Sequence, residues 1–135
     1  MKLAGRDGSL ILERSELGPP GTPADHDVLV NITVDAKGFA AADQSWVVAG
    51  DWRKFLDEMR SLAASRQGRA VLDSASPGDL RLEFFSTDSA GHMAVKGQVR
   101  RRSARDLELL LGFGFAFEPD ELPRVLTELE MLGRP

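Results

Sequence analysis

The chain has 135 residues, 42% hydrophobic and 28% charged, with a formal net charge of −4 and no cysteine. Such a length suits one domain with a real core, such a composition lies outside the disordered regime, and the absence of thiols excludes disulfides and cysteine-ligated metals. No run approaches the ~20 apolar residues of a membrane span, and the N-terminal MKLAGRDGSLILERSEL lacks a sustained apolar stretch ahead of its charges, so the chain reads as soluble and cytoplasmic, without a signal peptide.

Leu3 and Ala4 face Leu10, Ile11 and Leu12 across Asp7 and Gly8, a turn pair, which predicts a short opening hairpin. LGPPGTPADHD, residues 17–27, is rich in proline and glycine and predicts a surface loop. Strands follow at about 28–34 and 39–48, joined by Asp35, Ala36, Lys37 and Gly38. Asp in the first position and Gly in the fourth predict a type I turn there. The period then changes: Trp52, Phe55, Leu56, Met59, Leu62 and Ala63 form one apolar stripe, so a helix is expected with Asp51 as N-cap and Gly68 beyond its end. Ala70 to Leu72, then Leu80 to Phe85, then His92 to Arg100 read as strands, the last two apolar on one face and wet on the other.

In LLLGFGFAFEPDEL, Leu107, Leu109, Leu111, Phe113, Phe115 and Phe117 share one strand face, expected to point inward, and Gly112 and Gly114 lie on the other. A dinucleotide loop needs a third glycine and a helix at position 117, where Phe117 instead continues the alternation. The glycines therefore read as packing residues, leaving a low face for an aromatic such as Trp46 or Phe85, or letting the strand coil. Leu122, Val125, Leu126, Leu129 and Leu132 then predict a second helix, with Pro119 and Pro123 near its first turn and Gly133 closing it. The expected fold is α+β: a mainly antiparallel sheet of about six to eight strands with two amphipathic helices packed on one face. Residues 1–135 form one domain in this reading, with an opening hairpin and loop over 1–27 and a core over 28–133.

No catalytic, cofactor-binding or metal-ligating set assembles from the sequence. Asp25, His26 and Asp27 would need further donors from elsewhere to hold a metal and read as a solvated loop. His92 lies on a wet face without an assignable carboxylate or serine partner. Arg100, Arg101, Arg102 and Arg105 cluster at a strand tip, but no aromatic platform accompanies them and the chain is acidic overall, which disfavours a nucleic-acid partner. Residues 105–135 carry seven acids against three bases. Asp120, Glu121, Glu128 and Glu130 stand off the apolar stripe of the last helix, where they form either an ordinary solvated face or a surface for a basic partner.

The order of FLDEMRSL, GRAVLDS, LRLEFFSTDSAGHMAVKGQV and LLGFGFAFEPDELPRVLTELEML resembles a group of small bacterial domains that includes the WapI-type immunity proteins. The likeness spans about residues 28–133 and is carried by Gly91, His92, Val95 and Gly97 and by Phe115, Phe117, Asp120 and Leu122, all structural positions. It implies a cytoplasmic, non-enzymatic binding protein that blocks a toxin by covering it. In such a mechanism the acidic helix is set against a basic toxin surface, with Trp46 as a candidate anchor and Trp52, the other tryptophan, better placed in the core. Two other readings stand beside it: a small-ligand protein or enzyme with a pocket near Gly112 and Gly114, and a homo-oligomer pairing through an uncovered sheet face.

Overall fold

Four antiparallel strands followed by a helix occur twice along the chain. The computed structural model describes residues 1–103, 105 and 107–135. Its first half is β1 (Lys2–Ala4), β2 (Gly8–Leu17), β3 (Val28–Ala36), β4 (Phe39–Val47) and α1 (Ala49–Ser65). The second is β5 (Arg69–Asp73), β6 (Leu80–Ser86), β7 (Met93–Arg102), β8 (Glu108–Phe117), a 3-10 turn (Pro119–Glu121) and α2 (Leu122–Leu132). The α+β class and antiparallel pairing are as the sequence predicts, but the eight strands divide into two four-stranded sheets, β1-β2-β3-β4 and β5-β6-β7-β8.

Each sheet buries alternate residues: Val28, Val30, Ile32 and Val34 from β3, and Leu80, Leu82 and Phe84 from β6. The predicted stripe of α1 is buried too, save Ala63, which is partly so, and an aromatic chain ties it to the second sheet. Ring centroids step 5.9 Å from Trp52 to Phe55, 5.9 Å to Phe84 and 6.1 Å to Phe117. The helices lie side by side and antiparallel, since Trp52 abuts Gly133, Arg60 reaches Glu130 and Arg66 reaches Asp120. Leu3, Leu10 and Leu12 of the opening hairpin belong to the same core cluster.

Local chemistry differs from expectation at three places. The turn after β3 is not type I: Ala36 pairs with Phe39, leaving Lys37 and Gly38 as a two-residue loop with φ of 51° and 85°. Both positive angles define type I′, whose twist matches that of the strands it joins. Asp51 does not cap α1, which begins two residues earlier at Ala49. The cap comes from outside the helix, as the Asp27 Oδ1 accepts the Ala49 N–H at 2.8 Å. Arg66 rather than a glycine takes the left-handed position ending α1, at φ 55°.

The predicted inward ridge of β8 is buried only toward its C-terminal end. Phe115 and Phe117 are buried and Leu111 and Phe113 partly so, whereas Leu107 and Leu109 are exposed. The first sheet supplies the reason. Phe115 lies in the β1-β2 turn, with ring carbons 2.7 Å from where a Cβ would stand at either Gly5 or Gly8, whereas Leu107 and Leu109 at the start of the strand stay more than half exposed. The glycines beside the ridge behave differently from expectation as well. Neither Trp46 nor Phe85 lies across them: no atom stands within 4 Å of a Cβ built at Gly112, and Gly114 meets only Lys96 and the Val95 carbonyl. The aromatic-over-glycine packing occurs on the inner face, where Phe113 lies against Gly97, its register partner on β7.

A Cβ at Gly97 would collide with the Arg81 carbonyl oxygen, while one at Gly112 meets nothing. Gly97→Ala is therefore expected to cost about 1–3 kcal/mol through overpacking. Gly112→Ala should be neutral or stabilise by up to ~1 kcal/mol, because alanine loses less backbone entropy in a strand. Urea denaturation of the two variants checks the contrast.

Candidate functional site: an apolar groove along β8

Four of the large apolar side chains exposed outside the core gather at one place. Phe39 is 69% exposed, Leu107 66%, Leu109 68% and Leu110 59%. Phe39 starts β4, an edge strand of the first sheet, and the leucines start β8, an edge strand of the second. Between them the sandwich splays into two adjoining hollows. One, of about 260 Å³, is lined by Ala40 to Asp43, Val99, Arg101 and Leu109 to Leu111. The next, of about 320 Å³, continues along Leu111 to Gly114 opposite Ala36, Lys37 and Phe39.

One clasp limits the splay. Arg101 crosses from β7 to donate to the Ala42 carbonyl at 3.2 Å and to Asp43 at 3.0 Å. The hydrogen bond to Asp43 also raises the Arg101 pKa, so the crossing group is charged throughout the accessible pH range. A second link lies further along β4, where the Ala75 N–H donates to the Trp46 carbonyl at 2.7 Å.

The sequence contained a signal for this surface. Leu109, Leu110 and Leu111 are consecutive, and a strand of period two cannot turn all three inward, so at least one leucine had to lie on the outer face. Phe39 carries no comparable signal, because only the meeting of two edges in space gives it neighbours.

The acidic residues singled out on the last helix are all held by arginines. Asp120 pairs with Arg66 at 2.7 Å, Arg124 bridges Glu121 at 2.6 Å and Glu128 at 2.8 Å, and Glu130 bridges Arg60 at 3.2 Å and Arg134 at 3.9 Å. Their charge is largely matched within the molecule. At the β7-β8 tip, Arg100 joins Asp79 at 3.1 Å and Glu108 at 3.3 Å, whereas Arg102 and Arg105 have no acidic partner among the described residues. Trp52 is buried in the core and Trp46 is exposed on β4.

His26 pairs with Asp25 at 2.8 Å, and Asp27 is occupied in capping α1. No group of three or more His, Asp or Glu suited to a metal occurs among the described residues. His92 does have the carboxylate partner that sequence could not assign: its Nδ1 lies 2.6 Å from Asp88, whose other oxygen accepts the Ala90 and His92 N–H groups at 2.9 and 3.3 Å. These bonds close the β6-β7 turn on an exposed surface. The hollow beside Gly112 on the outer sheet face, about 320 Å³, is lined by Arg81, Glu83, Lys96 and Gln98, but Glu83 is shared by Lys96 and Arg69 and Arg81 is held by Asp73.

Two antiparallel meanders with a helix after each, and an exposed apolar groove between two edge strands, define an α+β protein whose most distinctive surface suits contact with another macromolecule. The model of the immunity protein WapI-like family matches residues 2–132, and the chain belongs to that family. The match takes in the opening hairpin and proline-rich loop, which the sequence motifs had left outside. No curated protein and no solved structure matches the chain. No helix among the described residues is long and apolar enough to cross a membrane.

The Asp88 carboxyl titrates below its ordinary range because its side chain is hydrogen-bonded to His92. A depressed carboxyl pKa stabilises the fold above the unfolded-state value, and the gain is lost as pH falls through the folded-state value. Replacing His92 by Ala should move the Asp88 titration upward. Carbon-detected NMR titration of Asp88 in both proteins measures it.

Proposed function

We propose that this member of the WapI-like family is an immunity protein that neutralises a bacterial toxin in the cytoplasm by covering it, without catalysis. The observation that carries the reading is the cluster of exposed leucines on a strand edge, with the exposed Phe39 further along the same groove. Fully burying one such side chain contributes about 1.5–3 kcal/mol, so a partner that covers Leu109 and Leu110 together gains an anchor of useful size. Cover also requires no reacting groups, in keeping with a surface whose ionisable residues are mostly paired with one another.

The acidic face of α2 takes a secondary part in this reading. A net charge of −4 favours encounter with a basic toxin over long range, while matched pairs such as Glu121 with Arg124 add little affinity at contact. Asp120, Glu121, Glu128 and Glu130 are thus proposed as a rim that tunes association rate, and the groove as the source of affinity.

The test is protection of cells expressing the toxin domain encoded beside this gene, together with binding of the purified pair. Wild type is expected to bind and protect. Leu109→Asp/Leu110→Asp should lower affinity by about a hundredfold or more and abolish protection while leaving the melting temperature nearly unchanged, since both side chains are exposed. Absence of binding by wild type would remove the immunity reading; full protection by the double variant would remove the groove from it. A wild-type dimer in light scattering that the double variant dissociates would assign the groove to self-association.

A further inference from the structure

We infer that the toxin segment received by this groove is an extended strand, apolar at alternating positions and bracketed by carboxylates, which adds to the free edge of β8; the inference rests on the immunity reading. Backbone direction is the first ground. The Ser103 N–H donates to the Leu107 carbonyl at 2.8 Å, which turns the odd-numbered residues of β8 toward β7. From the opposite side Gly5 presses on the Ala116 carbonyl oxygen, which turns the even-numbered residues outward. The N–H and C=O groups of Leu110 and Gly112 therefore point away from β7 along the free edge of β8, beside the groove that Leu109 to Leu111 line, and the Gly5 contact ends this accessible edge near residue 115.

The opposite edge is partly occupied. On β4 the Ala42 carbonyl accepts from Arg101 and the Trp46 carbonyl from Ala75. An incoming strand thus has its hydrogen bonds waiting on β8 and an apolar wall on β4. A helix docked in the same groove has no spare backbone groups to meet those of Leu110 and Gly112, so the extended form is favoured. Gly112 assists by leaving its surroundings bare.

Charge specifies the ends of the occupant. Arg102 and Arg105 stand at one end without acidic partners among the described residues, and residues 100–108 hold Arg100, Arg101, Arg102 and Arg105 against Asp106 and Glu108. At the other end Lys37 is well exposed and makes only a long ion pair, 3.9 Å, with the exposed Asp7. In between, Arg101 and Asp43 cancel. An apolar strand with an acidic residue beyond each end matches this order, and a basic one meets repulsion at both.

The experiment measures affinity for the neighbour-encoded toxin domain by calorimetry. Gly112→Pro deletes the outward N–H without breaking the ladder to β7, and should weaken binding about tenfold or more, while Gly112→Ala keeps the N–H and should stay within about threefold. Arg102→Glu/Arg105→Glu should also weaken binding at least about tenfold at low salt, with the gap narrowing as salt rises. No binding by wild type overturns the immunity reading and this inference with it. Wild-type binding that survives Gly112→Pro overturns the added strand alone, and binding unchanged or tightened by the arginine variant overturns the acidic brackets. Should Gly112→Pro fail to fold, amide hydrogen exchange in the wild-type complex decides: slowed exchange of the Leu110 and Gly112 N–H groups is expected, and exchange at the free-protein rate overturns the added strand.

Discussion

The packing of Phe115 into the β1-β2 turn decides how the two sheets meet. Gly5 and Gly8 let the ring sit where side chains would otherwise stand, and Gly5 also approaches the Ala116 carbonyl closely. That contact closes the sandwich over Phe115 and Phe117, which in turn lets Phe117 join the aromatic chain running through Phe84 and Phe55 to Trp52. The strand carrying Phe115 is ten residues long, so closing one end over the β1-β2 turn leaves its other end only loosely covered by the first sheet. The exposed leucines follow from that geometry. A surface suited to binding is in this sense the far end of a packing constraint.

Charge is arranged differently at the two ends of the molecule. Around the helices, arginines from α1 and α2 are shared among Asp57, Asp120, Glu121, Glu128 and Glu130, and such exposed pairs each contribute only about 0–1 kcal/mol. The helix pair is held mainly by its buried stripes, with the ion pairs setting alignment. At the β7-β8 tip, arginine exceeds acid, and the apolar groove begins. An acidic protein thus presents its main apolar surface with a local basic rim, a distribution that discriminates among partners more sharply than net charge does.

Much of the fold was legible in the sequence because the side-chain period is a local property. The stripe from Trp52 to Leu62, the alternation in β6 and β7, and the second helix closing at Gly133 all appear where period and turn residues place them. Local rules failed where a distant group intervened. Asp51 has the chemistry of a cap, yet Asp27, brought near by the β3-β4 pairing, meets the first N–H of α1. Asp35 and Gly38 fit a type I turn, yet continued pairing of Ala36 with Phe39 leaves two residues for the reversal and imposes type I′. His92 lacked a partner on paper because the β6-β7 turn had to fold before Asp88 reached it.

By itself the sequence determined the α+β class, the positions of most elements and the inward and outward faces of β6 and β7, since these follow from backbone periodicity and the free energy of burying apolar side chains. The three leucines at 109–111 even required that one of them be exposed. Tertiary structure alone decided that eight strands would form two sheets, and which glycines would receive an aromatic ring. It also placed Phe39 beside β8. Those outcomes depend on edges and faces far apart in the chain meeting in space, and no local pattern encodes where a strand outruns its cover.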